Sequence, residues 1–394
     1  MKSKMMVIVP LIIILIAAPE IKYIYDTNQK SEAVAVMKDS KQTEATVKET
    51  AAKETVPTVE DKKEEPLTIV AVGDILLGRG VGMRLENQKK GYIYPFERVV
   101  GFLKEGDVVF ANLEEPITAS THSLTGIGQG GKYVLKNEPQ AFEGIKFAGF
   151  NLLHLANNHI LDYYDKGLYD TIELLEKNGI AYAGAGKNLD EARKPAIIEK
   201  KGVKIGMLAY TDMSEVLYKG NPPLRFIAEK ERYGVAPRNH SYIKEDVDKL
   251  RQCVDLVIVS LHWGLEESFE VLEEQRELAH RLMDQGVDII LGHHPHQFQG
   301  IEIYNGKPII YSMGNFIFDQ NDPENQESFI LNMKYSGRKL TEFKAIPVRT
   351  ADKTQVIPLA GIDAELLLKR QLELCRRLDT KCHIAGDRLV FDLK

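Results

Sequence analysis

Short apolar runs recur through the middle of the chain, at 67–72 (LTIVAV), 107–112 (DVVFAN), 151–156 (NLLHLA), 204–210 (KIGMLAY), 255–262 (DLVIVSLH) and 287–292 (VDIILG). Four of them, at 107–112, 151–156, 255–262 and 287–292, pass straight into Asn, His or an acid. Between them stand stretches with apolar residues at helical spacing, such as 168–177 and 272–285. Runs of this kind suit strands buried on both faces, and their alternation with helices predicts an α/β domain. In such sheets ligands gather where the carboxyl ends of strands open into loops, so the polar residues that end the runs are expected along one edge. Residues 66–348 carry this pattern; residues 349–394 lack polar clusters at strand ends and are expected to form a helical and strand appendage.

The first 65 residues have a different pattern. Lys2 and Lys4 precede an unbroken apolar run at 5–18 (MMVIVPLIIILIAA), which Pro19, Glu20 and Lys22 follow. The run is short for a hydrocarbon core of about 30 Å. Extension through Ile21, with Lys4 and Lys22 reaching to the interfaces beside Tyr23 and Tyr25, closes the gap. A membrane anchor over residues 1–25 is therefore expected; cleavage after Ala18 is the alternative, and Pro19 disfavours it. The lysines precede the run, which places the N-terminus in the cytoplasm and the rest outside the cell membrane, in a single pass. Residues 26–65, rich in Lys, Glu, Thr and Ala and poor in large apolar side chains, are expected to be a disordered charged spacer.

Composition narrows the function classes. With 44% hydrophobic and 27% charged residues the chain is of ordinary globular type. A net charge of −6 and a pI near 6.0 leave no basic excess for a phosphate backbone, so no nucleic-acid partner is expected. Three cysteines, Cys253, Cys375 and Cys382, make no disulfide framework, and all three are expected free, although the last two could pair in an exported chain.

Histidine placement carries the chemistry. His293, His294 and His296 fall within GHHPH, and His159 and His262 stand at other strand-to-loop junctions. One such histidine is ordinarily a core residue bonded to a carbonyl; several at successive strand ends point to metal binding. His154, inside its strand, is expected in the core. Asp74 ends the first run, Asn112 and Glu114 follow the second, and Asn157, Asn158 and His159 the third. Mixed carboxylate, amide and imidazole donors suit Mn, Zn or Fe(II).

The set VGDILLGR, NLEEP, ANNHILDY, SLHWGLE and GHHPHQFQGIEIYNGKPIIYSMGNFIFD resembles the CapA/PgsA family of poly-γ-glutamate capsule biosynthesis proteins, over roughly residues 67–319. That family in turn resembles calcineurin-like metallophosphoesterases. The resemblance implies a four-layer α/β/β/α sandwich with divalent metal at the strand ends, an anionic polymer or phosphoester as substrate, and other membrane subunits of capsule synthesis as partners. Residue by residue, it implies Asp74, Glu114, Asn158, His262, His294 and His296 as metal ligands. His293 has no counterpart and is expected behind the ligands or exposed. The phosphoesterase pattern has a histidine where this chain has Leu76. Counting ligands on that template, one ion is expected to be tight (Glu114, Asn158, His262, His294) and a second weak (Asp74, His296 and shared Glu114).

Metal-assisted hydrolysis needs an acid for the leaving oxygen, and His159 is the candidate. Asp162 is expected either to hold the other His159 nitrogen or to cap a helix starting near Lys166. Arg79 is the candidate for an anionic substrate, with a surface ion pair as the alternative. Asn112 is either a weak ligand or a turn residue before Pro116. The Gly-rich stretch 125–133 lacks the Lys-Ser/Thr ending of a phosphate loop and is expected to be a mobile loop without chemistry. Two functions fit: a membrane-tethered metal-dependent hydrolase, or an accessory subunit of a polyglutamate synthase complex.

Overall fold

The run after Pro66 forms the strand Leu67–Ile75, buried along its whole length. In the computed structural model, which describes residues 65–124, 133–216 and 224–393, this strand is central to the larger of two main sheets. The expected anchor, the spacer up to residue 64 and the Gly-rich stretch 125–132 lie outside the described residues. Among the described residues no helix is long and apolar enough to cross a membrane.

On one side of Leu67–Ile75 the strands Val108–Leu113, Leu152–His154 and Ala181–Ala183 follow in parallel. On the other side Glu327–Ser336 and then Lys339–Ala351 pair antiparallel. The smaller sheet is parallel at its centre, with Lys307–Ile310, Ile289–His293, Leu256–His262 and Val203–Thr211 side by side. Antiparallel edge strands, Ile301–Tyr304 and Ala196–Lys200, flank that centre.

A side-chain period of two explains how the smaller sheet packs. Leu256 and Ile258, with Ile289, Leu291 and Met207, join the core shared with the larger sheet. Their neighbours Val257, Val259, Ile290 and Leu208 face a second core against the helices His240–Leu250 and Glu273–Asp284. These strands therefore have no solvated face, which is why their sequences are apolar throughout rather than alternating. The helix Tyr164–Lys177 buries Leu168, Ile172 and Leu175, one stripe at helical spacing, in the shared core.

The expected limit at residue 348 falls inside the strand Lys339–Ala351. Beyond it, Leu389–Phe391 pairs with that same strand, and the helix Gly361–Arg376 puts Leu367, Leu368 and Leu374 into the shared core. Residues 349–393 thus extend the larger sheet. The molecule is a mixed α/β fold of two sheets with helices.

Segment 311–314 joins the sheets at their carboxyl edges. Met313 N–H donates to Gly292 O and Asp74 N–H donates to Gly314 O, both at 3.0 Å. Two glycines permit this approach. A Cβ on Gly73 would lie 1.8 Å from Gly314 O, and one on Gly292 would lie 1.8 Å from Tyr311 O. Each glycine immediately precedes a site residue, Asp74 or His293.

Candidate metal centre and cleft

Register sets the floor of the site. Asp74, Asn112 and His154 are partners across the larger sheet, and Thr211, His262 and His293 across the smaller one. Because segment 311–314 draws the two edges together, His293 Nδ1 lies 2.7 Å from Asp74 Oδ1. His293 is fully buried, so it is not exposed; it stands behind Asp74 between the rings of Phe110 and His154. Asn112 is neither a turn residue nor placed to ligate through oxygen. It lies in a strand, and its Nδ2 donates to Asp74 Oδ1 at 2.9 Å and Glu114 Oε2 at 3.1 Å, while its Oδ1 accepts from Asn157 Nδ2 at 3.0 Å.

Ligand atoms of Asp74, Glu114 and His296 lie within 4.8 Å of one another. The set expected to be weaker is therefore a convergent one, and Glu114 links it to the rest: His262 Nε2 is 3.4 Å from Glu114 Oε1. The rings of His262 and His294 are 4.7 Å apart. His296 is oriented by Asn315, whose Oδ1 is 2.9 Å from its Nδ1. His294 and His296 have φ of 97° and 60°. Non-glycine residues enter this region at a cost of about 1–3 kcal/mol each, as functional sites do. His154, as expected, is a core residue, with one ring nitrogen 2.7 Å from Ser260 Oγ and the other 2.8 Å from Ala156 O.

The floor fits a divalent cation. Asp74 Oδ2, Asn158 Oδ1 and His294 Nδ1 are buried without a partner in the protein. Burying such atoms unpaired costs about 1–3 kcal/mol each, and all three can offer a lone pair to an ion. Burial pushes His294 down to about 3, and burial with the neighbouring imidazoles pushes His262 well down, so both are neutral and able to ligate. Burial works to raise Asp74, but the charge and hydrogen bond of His293, with His296 and Asn112, bring it down to about 2. Burial and the Asp74 charge push Glu114 well up, the repulsion a bound cation would relieve.

Above the floor lies a cleft of about 870 Å³ lined by His159, His296, Arg79, Asp319, Glu266 and Glu267 among others. His159 Nδ1 is 2.8 Å from Asp162 Oδ2, which also accepts Leu135 N–H at 2.7 Å. Burial pushes the Asp162 carboxyl up, against the pull of His159 and that N–H. Asp162 is not the cap of the following helix, which begins at Tyr164 rather than Lys166. Arg79 Nε donates to both carboxylate oxygens of Asp319, at 3.0 and 2.9 Å, so the ion pair is what holds it at the rim. Residues that sequence reasoning missed are Asp319, Asn315 and Glu115. Glu115 Oε1 accepts Leu77 N–H at 2.7 Å and Gly78 N–H at 2.9 Å, fixing the turn after Asp74. The NLEEP and GNFIFD blocks contain all three, but nothing in their spacing names a partner.

Residues 68–320 match the family described as bacterial capsule synthesis protein PGA_cap. The chain belongs to this family. The match spans every site residue from Asp74 to Asp319. Among PGA_cap relatives, the PGA biosynthesis protein CapA of Bacillus subtilis is 31% identical over 347 residues, 87% of each chain. The capsule biosynthesis protein CapA of Bacillus anthracis is 34% identical over 283 residues, 71% of this chain and 66% of that one. Among solved structures, the calcineurin-like phosphoesterase YfkN from Bacillus subtilis aligns over 79% of this chain and 99% of that one, with a TM-score of 0.44 and 14% identity.

Proposed function

We propose that this PGA_cap protein is a divalent-metal hydrolase-type component of poly-γ-glutamate capsule synthesis and export. In this reading residues 1–25 anchor it in the cell membrane, its domain works outside, and it acts beside other membrane subunits on an anionic polymer or a phosphoester. The layering would be α/β/β/α, which the alternation of core residues in the smaller sheet supports. The observation that carries the proposal is the convergence of Asp74, Glu114 and His296 beneath a cleft that also holds the His159–Asp162 pair.

Asp74, Glu114 and His296, with His262, Asn158 and His294 beside them, would hold the ion. Such a metal polarises a substrate oxygen and lowers the pKa of bound water. The chain's own contribution is proton management. With Nδ1 engaged by Asp162, His159 has Nε2 left to give a proton to a leaving oxygen, and Asp162, fixed by Leu135 N–H, keeps the ring in place.

The rim favours a second reading, an accessory subunit of the synthase complex that does not cleave the polymer. Glu266, Glu267, Asp319 and Asp322 face the cleft, and Arg79 is already paired, so the rim by itself repels a polyanion. The test is the purified full chain in detergent, assayed for bound metal by elemental analysis. It is then assayed, with manganese and with chelator, for cleavage of an aryl phosphodiester and for shortening of poly-γ-glutamate. Manganese-dependent cleavage of either supports the hydrolase; bound metal with no cleavage of either supports the accessory subunit; no metal at any concentration overturns both.

A further inference from the structure

Away from the cleft, two of the three cysteines meet. Cys375 is buried one residue before the end of the helix Gly361–Arg376, and half-buried Cys382 opens the edge strand Cys382–Ile384. The intervening turn folds tightly back on the helix, because Leu378 N–H and Thr380 N–H both donate to Cys375 O at 3.0 Å. Thr380 Oγ1 in turn accepts Ile303 N–H at 3.0 Å, which pins the turn to the smaller sheet. The turn thereby packs the strand Cys382–Ile384 against the end of the helix and brings the Cys375 and Cys382 side chains together.

Their surroundings differ in a useful way. Cys375 Sγ is enclosed and accepts Ile301 N–H and Gln371 Nε2–H, both at 3.4 Å. Cys382 stands on the wall of a cavity of about 380 Å³ with Arg376, Asp379, Lys381 and Asp392. The neighbouring Cys375 side chain holds the Cys382 thiol below its ordinary range, whereas burial pushes Cys375 well up. An accessible sulfur on a cavity wall beside an enclosed one is the arrangement of an attacking and a resolving thiol.

We propose that Cys375 and Cys382 are a disulfide-forming pair that reacts with small-molecule disulfides through Cys382 and closes through Cys375. The Cys382 thiolate attacks one sulfur of the reagent, forming a mixed disulfide and releasing one thiolate, which takes up the Cys382 proton. Cys375 then attacks Cys382 Sγ and displaces the second thiolate, which takes up the Cys375 proton. The protein loses two hydrogens and two electrons, and the reagent becomes two thiols. The bridge joins the end of the helix to the edge strand, whose neighbour Leu389–Phe391 belongs to the main sheet. An oxidising extracytoplasmic milieu would favour the closed form. The proposal is independent of the metal-centre reading.

The test uses the full chain in detergent with Cys253→Ser, which removes the exposed third thiol. Oxidised glutathione should consume both remaining thiols together, yield a peptide cross-linked between Cys375 and Cys382, and raise the melting temperature by about 3 °C. Adding Cys375→Ser should stop the reaction at a stable mixed disulfide on Cys382. Adding Cys382→Ser should leave Cys375 reduced. A wild-type pair that also stops at the mixed disulfide, or a Cys382 that stays reduced while Cys253 of the unmutated chain is modified, would overturn the proposal.

Discussion

On the floor of the cleft Asp74 Oδ2, Asn158 Oδ1 and His294 Nδ1 are buried without partners, whereas on its rim His159 and Arg79 are each held by a carboxylate, Asp162 and Asp319. Both regions are built from acids, amides and basic side chains, and burial separates them: Asp74 is fully enclosed, while Arg79 remains 30% exposed. Buried lone pairs without a partner are uncommon in folded proteins, and three gathered on one floor are what a ligand from outside the chain would complete. The floor is thus organised to receive a ligand, and the rim to keep side chains in position.

Removing a floor residue should have the largest effect. Asp74→Ala takes away the free Oδ2 and the partner of His293, and the full chain should lose divalent-metal affinity by more than about 100-fold. Titration calorimetry with manganese measures this. Since Asp74 belongs to the convergent set, its loss should be at least as severe as that of His262→Ala; an Asp74→Ala protein that retains tight metal would relocate the centre to His262 and His294.

A rim substitution should separate turnover from metal. His159→Gln is expected to slow metal-dependent cleavage by about 10²- to 10⁴-fold with metal content unchanged, and Asp162→Asn to slow it less. Loss of metal in the His159 variant would move that residue from the rim to the floor.

Behind the floor stands fully buried His293, whose hydrogen-bond partner there is Asp74. His293→Gln should weaken metal by about 10- to 100-fold while leaving the fold intact. Circular dichroism alongside calorimetry distinguishes this from collapse of the core around Phe110 and His154.

His293 also shows what could be foreseen. Asp74, Glu114, His262, His294 and His296 were legible because each follows an apolar run, and strand ends of a parallel sheet share an edge. Five of the six apolar runs match their strands to within two residues at either end for the same reason, and the first, read as 67–72, continues to Ile75. The pairing of His293 with Asp74, 219 positions away, was not, since it depends on how two sheets meet and on two glycines that let segment 311–314 between them. Arg79 with Asp319, and His296 with Asn315, escaped notice likewise: a partner is a property of register, not of spacing. The strands after residue 348 carry no such polar ends, so nothing in their sequence announced that they continue the larger sheet.

The smallest effect at neutral pH concerns Glu115, which faces the floor's turn from behind. Its Oε1 accepts the N–H groups of Leu77 and Gly78, and its Oε2 is buried without a partner. Burial pushes the carboxyl up to about 8, although those N–H groups and Arg79 pull the other way. A folded-state value raised above the ordinary 4.5 means that the native chain keeps a proton the unfolded chain has released. Between those limits the unfolded state binds fewer protons, so this group's contribution to stability is full below about 4.5 and falls as pH rises toward 8. Glu115→Gln keeps a carbonyl oxygen for Leu77 and Gly78 and removes the titration. Its melting temperature should match wild type near pH 5 and decline less steeply up to pH 8, by about 1 kcal/mol of stability per pH unit at most. Parallel thermal melts across that range, in the presence of chelator so that no metal intervenes at neighbouring Glu114, would show the curves separating on the alkaline side; curves that stay parallel would mean that Glu115 is ionised in the native protein and that the turn after Asp74 is held by a charge.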